Sequence, residues 1–277
     1  MHARNRISAR FSELAKKGEC ALICYVVAGY PDAKTSQAVI EMLVQGGADA
    51  IEIGIPFSDP IADGPTIEAA SHASLQKGTR PADALALASK IRQAHPDLPL
   101  LVMTYSNILV RNGFEDFASR AKRSGIDGFI VPDMPMEEAG DYSRSAKANE
   151  LSTVFLASPN TKSGRLRRIL DATNGFLYLV SVFGITGARS TFENYTSQAI
   201  KDVKLAAASK VPIAVGFGIS RPEHVRFMKS AGADAVIVGS AIIDIIAHSK
   251  SKTIMLASVK RYAQSMKAAC RDQKKVH

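Results

Sequence analysis

Eight short apolar runs, each followed by a stretch with helical spacing, constrain this chain more than any other feature. The runs fall near residues 21–27, 49–54, 98–104, 127–132, 151–157, 176–182, 211–216 and 234–238. An apolar run of this length that ends in turn residues reads as a buried parallel strand. Between the runs, the spacing predicts helices near 33–46, 81–94, 114–124, 136–149, 163–172, 192–209 and 221–230, and a last one near 252–268. Pro81 and Pro222 sit where a first helical turn accepts proline.

An internal echo supports the repeat. Gly47-Ala48-Asp49-Ala50-Ile51, Gly125-Ile126-Asp127-Gly128-Phe129 and Gly232-Ala233-Asp234-Ala235-Val236 share one order of parts. A glycine ends a helix, an acid follows, and a strand begins. Eight strand–helix units with no break in composition predict a single α/β domain over residues 1–277, folded as a (β/α)8 barrel. Residues 1–18, with Ile7, Phe11, Leu14 and Ala15 at helical spacing, are expected to cap one end. Residues 66–77 read as an extra helix in the second connection, and 270–277 as a disordered tail. The runner-up is an open doubly wound sheet, which wants a glycine-rich turn after the first strand. Ala28-Gly29-Tyr30-Pro31 is not that fingerprint.

Composition narrows the function by exclusion. No apolar run approaches the ~18 residues of a membrane helix, and the first residues lack the apolar core of a signal peptide. The net charge of +9 gathers partly near the end of the chain, and no basic stripe carries interleaved aromatics. Nucleic acid is therefore not the expected partner, whereas an anionic substrate is compatible. Of Cys20, Cys24 and Cys270, the first two share one extended run, too far apart for a disulfide, and read as core thiols of a reducing, cytoplasmic setting. The histidines are scattered without metal-ligand spacing, so no metal is expected.

The chemistry then rests on carboxylates. In the second run, Ile51 and Ile53 point one way and Glu52 the other, into the interior or its mouth. A buried carboxyl should have a raised pKa, in the range useful for proton transfer near neutrality. Asp63, in the following loop, could fold back over the strand end, and two carboxyls in unlike surroundings can divide acid and base roles. Asp133 and the phenols Tyr25, Tyr105 and Tyr178 complete the inventory at the strand ends. No run contains the lysine of a Schiff base or a histidine ligand, which also argues against a phosphosugar isomerase on this fold. After the sixth, seventh and eighth strands come Gly184-Ile185-Thr186-Gly187, Gly216-Phe217-Gly218 and Gly239-Ser240. Such loops let backbone N–H groups approach an anion, and a phosphate site is expected there.

The run Glu52-Ile53-Gly54-Ile55-Pro56-Phe57-Ser58-Asp59-Pro60-Ile61-Ala62-Asp63-Gly64-Pro65 resembles that of the tryptophan synthase alpha chain family. Gly29-Tyr30-Pro31-Asp32, Tyr105-Ser106-Asn107, Pro132-Asp133-Met134-Pro135 and Gly184-Ile185-Thr186-Gly187-Ala188-Arg189 follow in that family's order. The resemblance implies a lyase that cleaves indole-3-glycerol phosphate to indole and glyceraldehyde 3-phosphate. It implies Glu52 as general acid/base and Asp63 as the group facing the indole nitrogen. Tyr25, Ile67, Met103, Pro132, Leu156 and Tyr178 would line the substrate pocket. Thr186, in a lid loop, would hold Asp63. Gly187, Gly216, Phe217, Gly218, Gly239 and Ser240 would hold phosphate. Pro56, Asp59, Asn107 and Asp133 would meet a beta chain in an alpha2beta2 heterotetramer, pyridoxal phosphate being expected only in that partner. Cys24-Tyr25-Val26-Val27 departs from the family's usual first strand. A stand-alone indole-releasing lyase and a non-catalytic regulatory subunit are the alternatives on the same fold; the second would be expected to lose one of the two acids.

Overall fold

Strand alternation sorts the first strand, β1 (Ala21–Val27), into two faces. Ala21 and Ile23 join one buried cluster, and Leu22, Cys24 and Val26 join another. The same division runs through β2 (Ala50–Gly54), where Ala50 belongs to the first cluster and Ile51 and Ile53 to the second. The strands of a barrel sort in this way, one face filling the lumen and the other packing on a ring of helices. The computed structural model describes residues 5–180, 189–208 and 210–271.

The remaining strands are β3 (Leu100–Met103), β4 (Gly128–Ile130), β5 (Ser152–Val154), β6 (Leu156–Ala157), β7 (Leu177–Val180), β8 (Ile213–Gly216) and β9 (Ala235–Val238). All pairings are parallel, in the order β5-β4-β3-β2-β1-β9-β8-β7-β6. The two ends of that order are consecutive in the chain, with Phe155 alone between them. The Tyr178 N–H donates to the Phe155 carbonyl at 3.0 Å. The expected strand 151–157 is thus one stave, split where its hydrogen bonds change from β4 to β7, and the sheet closes into a (β/α)8 barrel.

Helix α1 (Arg6–Lys16) plugs the end where the strands begin. The Asn5 side chain caps it by accepting from the Ile7 N–H at 2.9 Å, and Asn5 Nδ2 donates to Ser152 Oγ at 2.6 Å. Ile7, Phe11 and Leu14, spaced for one helix face, close the lumen, with Phe11 5.7 Å from Phe176 between ring centroids. Helices α2 (Ala33–Gln45), α3 (Pro65–Gln76) and α4 (Pro81–Ala94) follow, α3 being the extra helix expected in the second connection.

The repeated Gly-x-Asp unit is a register clamp. Gly47, Gly125 and Gly232 have φ of 102°, 82° and 107°, a turn that L side chains rarely adopt. Each following aspartate then bonds twice to one residue of the neighbouring strand. Asp49 donates its N–H to Leu22 O at 2.8 Å, and its carboxylate accepts from Leu22 N at 2.8 Å. Asp127 does the same with Leu100 and Asp234 with Ile213. A cation answers each carboxylate: Lys267 at 2.9 Å for Asp49, Arg92 at 2.8 Å and Arg6 at 2.9 Å for Asp127, and Lys204 at 2.8 Å for Asp234. These acids fix strand offset at the bottom of the barrel.

Three expectations change. A further helix, α5 (Ser106–Asn112), precedes α6 (Phe114–Arg123), so Asn107 lies in a helical first turn and not in a loop. The helix α7 (Gly140–Ala148) begins later than residue 136, after the turns that carry Pro135. After α8 (Ser163–Ala172), α9 (Arg189–Ala207), α10 (Pro222–Ala231) and α11 (Ser240–His248), the last helix, α12 (Lys252–Arg271), runs past residue 268. Cys270 is fully buried and its carbonyl accepts from Cys20 N at 3.2 Å, so residues 270 and 271 are packed helix and not tail. Residues 272–277 lie outside the described residues.

Candidate active site

Carboxyl chemistry gathers at the mouth where the strands end. Glu52 projects inward from β2, between Tyr25 on β1 and Leu101 on β3 in register. It is 1% exposed, and its Oε2 has no hydrogen-bond partner. A carboxylate so placed has lost its water and gained nothing in return, so the neutral form is favoured. Burial first, and then the charge of Asp63, push its pKa from 4.5 up to about 8.

Asp63 reaches the same cavity from the loop before α3. Burial raises its pKa from 3.8 to about 6, against the lowering effect of a hydrogen bond donated by Tyr105 Oη at 3.0 Å. Tyr105 also accepts from Ala62 N at 3.3 Å and stacks on Phe57 with centroids 5.1 Å apart. The 56–65 loop is therefore pinned to the end of β3. At pH 7 the two carboxyls sit on opposite sides of neutrality, Glu52 mostly protonated and Asp63 mostly ionised.

The cavity between them holds about 290 Å³ and is lined by Tyr25, Ile67, Met103, Pro132, Leu156, Tyr178, Phe217, Gly218, Gly239 and Ser240 together with both acids. Gly216 lies against Tyr178, where a Cβ would overlap the phenol oxygen; Gly54 stands in the same relation to Tyr25. The two glycines let both rings lie across a neighbouring strand. Burial, and then the two carboxylates, hold both phenols well above their ordinary pKa, so they stay protonated. Thr186 and Gly187 lie outside the described residues.

At one side of the mouth, Phe217 and Gly218 both have φ of 72°. Beside it, after the neighbouring strand β9, α11 starts at Ser240, and the first N–H groups of a helix have no partner within it. Pro56, Asp59, Asn107 and Asp133 do not line the cavity. Asn107 lines a separate groove with Phe57, Arg80, Arg111 and Arg120. Asp133 accepts from Ser106 N at 2.9 Å and from Ser106 Oγ at 2.6 Å, which caps α5.

Sequence reasoning missed Tyr105 as a partner of Asp63, and missed Ile130 and Ile237, which line the floor of the cavity. Parity within β4 and β9 was the available signal for the two isoleucines. Among the described residues, no group of three or more His, Cys, Asp or Glu side chains is placed to hold a metal. None of their helices is long and apolar enough to cross a membrane.

A family model described as tryptophan synthase alpha chain matches residues 11–271. The chain belongs to the tryptophan synthase alpha chain family. Alpha chains from Methanothermobacter thermautotrophicus and Arabidopsis thaliana are 43% and 38% identical to it, covering 95% of this chain in each case and 97% and 94% of their own length. The crystal structure of the alpha chain from Legionella pneumophila superposes with a TM-score of 0.89 at 32% identity, over 99% of this chain and 100% of that one. The structure of Mycobacterium tuberculosis tryptophan synthase matches at 0.87 and 33% identity, over 98% and 100%. As a member of this family, the chain is a lyase that cleaves indole-3-glycerol phosphate in tryptophan biosynthesis.

Proposed function

We propose that Glu52 and Asp63 divide the proton work of that cleavage, giving indole and glyceraldehyde 3-phosphate. The observation that supports this is the buried, unpartnered Glu52 carboxyl with a pKa of about 8, facing a cavity shared with an acid of pKa about 6. Protonated Glu52 delivers its proton to indole C3. The positive charge that develops on the ring nitrogen is answered by ionised Asp63. The Glu52 carboxylate then takes the proton of the hydroxyl on the side-chain carbon bonded to C3. That carbon becomes the aldehyde, the carbon–carbon bond breaks, and its electron pair restores the aromatic ring. One proton enters at C3 and one leaves the hydroxyl, so Glu52 ends as it began.

The apolar walls, Ile67, Met103, Pro132 and Leu156, suit an indole ring. Backbone N–H groups of Gly216, Phe217, Gly218, Gly239 and Ser240, with Gly187, hold the phosphate, and Thr186 holds Asp63 when the lid closes. Gly218→Val should weaken binding of glycerol 3-phosphate, since a branched side chain at φ of 72° strains the loop.

The same mouth docks a beta chain through Pro56, Asp59, Asn107 and the loop that carries Asp133, in an alpha2beta2 assembly whose pyridoxal phosphate belongs to the partner. Ile61 (81% exposed), in the loop that carries Phe57, and Val110 (63% exposed), on the helix that carries Asn107, support an apolar partner surface there. Docking selects the form in which Asp63 is held in place, with a coupling of ~1–3 kcal/mol, about 5–150-fold. Indole release should therefore rise when a beta chain is added, and Asp59→Ala should reduce that rise more than it reduces the isolated rate. Full activity alone, with no response to the partner, would instead mark a stand-alone lyase.

A further inference from the structure

The loop after β8 has an unusual backbone and needs something to hold it. Phe217 carries a side chain at φ of 72°, a conformation uncommon outside glycine, and Gly218 repeats it. Ile219 is buried, which anchors the middle of the loop. The far end, Ser220, runs directly into α10. The Arg221 side chain, at the N-cap of α10, offers no acceptor and makes no capping bond, and Pro222 has no N–H. The acceptor comes from one turn in. His224 is the third residue of α10, the position from which a side chain reaches back to the backbone ahead of a helix. The Ser220 N–H donates to His224 Nδ1 at 3.3 Å, while the His224 N–H donates to Arg221 O at 3.0 Å. The ring is 9% exposed. An Nδ1 that accepts a hydrogen bond fixes the neutral tautomer with its proton on Nε2.

We infer that His224 is a positioning residue for substrate phosphate. By holding Ser220 it fixes the path of Phe217 and Gly218, both of which line the cavity. The inference rests on the reading that this loop binds phosphate. His224 lies outside the carboxyl pair, so its loss should act on binding and leave the proton transfers intact. One hydrogen bond of ordinary worth corresponds to about a tenfold change in an equilibrium constant.

The test compares His224→Leu, His224→Asn and Gly218→Val with the parent, using indole-release kinetics and calorimetric binding of glycerol 3-phosphate. In His224→Asn, the amide oxygen takes the place of Nδ1. His224→Leu should raise KM and the glycerol 3-phosphate Kd about tenfold, with kcat within about twofold. His224→Asn should restore both to within about threefold of the parent. Unchanged KM in His224→Leu would overturn the inference. So would a joint fall of kcat and thermal stability that Asn fails to restore, which marks a packing role. If Gly218→Val leaves glycerol 3-phosphate binding intact, the phosphate reading itself fails, whatever His224→Leu does. Nitrogen NMR of the parent protein gives a check that needs no variant. His224 should show the Nε2–H tautomer, and an Nδ1–H tautomer would refute the hydrogen bond.

Discussion

Replacing Glu52 by Gln should make the protein more stable, and by an amount that depends on pH. Glu52 has a pKa of about 8 in the fold against 4.5 in the unfolded chain. Between those values the native state binds more protons than the unfolded state, so stability falls as pH rises through that window. Each pH unit inside the window costs up to about 1.36 kcal/mol, which makes the ionisable Glu52 a liability of about 1 kcal/mol at pH 5 and about 3 kcal/mol at pH 7. Glutamine has nearly the same shape and is neutral throughout. Its amide finds no better partner than the Oε2 it replaces, but that penalty is the same at every pH and cancels in the slope. Urea unfolding of the two proteins at pH 5, 6, 7 and 8 should show the lead of Glu52→Gln widening by about 2–3 kcal/mol from pH 5 to pH 7. Parallel stability profiles would refute the reasoning, because they would mean that Glu52 ionises in the fold as readily as in water.

The pH dependence of kcat/KM should be bell-shaped, falling below about pH 6 as Asp63 is protonated and above about pH 8 as Glu52 loses the proton it delivers. Tyr105→Phe removes the hydrogen bond that lowers the Asp63 pKa, so the acid limb should move toward neutrality while the alkaline limb stays; an unmoved acid limb would show that Tyr105 does not tune Asp63. Asp127→Ala strips the carboxylate counter-charge from Arg92 and the side-chain acceptor from Leu100 N. It should cost about 3–5 kcal/mol in urea unfolding, with the activity of the folded fraction retained.

Much of this molecule is legible in its sequence because barrel strands are short, apolar and punctuated. The inward direction of Glu52 follows from alternation alone, since Ile51 and Ile53 must pack on helices. The limits of α2, α4 and α8 follow from spacing and from the prolines and glycines at their ends. What escapes is whatever depends on contacts distant in the chain. Helix α5 begins at Ser106 because Asp133, from the next connection, caps it, and no local pattern announces that bond. The stave 151–157 breaks at Phe155 only because its two halves bond to different neighbours. Cys270 stays helical because its carbonyl finds Cys20 at the other end of the chain. The Gly-x-Asp echo is visible in the sequence, but the clamp is not: each aspartate acts on a strand that comes well before it in the chain. In the site, both carboxyls and most of the apolar wall are readable from strand ends and from family resemblance. The Tyr105–Asp63 bond and the His224–Ser220 bond emerge only in three dimensions.

The central claim is that Glu52 carries the proton to indole C3, and indole release from indole-3-glycerol phosphate tests it most directly. Glu52→Gln, assayed at pH 7 beside the parent and in the presence of a beta chain, should lose roughly 10²–10⁴-fold in kcat, the usual range for one acid/base group. Its affinity for glycerol 3-phosphate should be unchanged, since the loops after β8 and β9, which we propose bind the phosphate, are untouched. A Glu52→Gln protein that releases indole at near the parent rate would contradict the account, because it would mean that the proton reaches C3 by some route other than the Glu52 carboxyl.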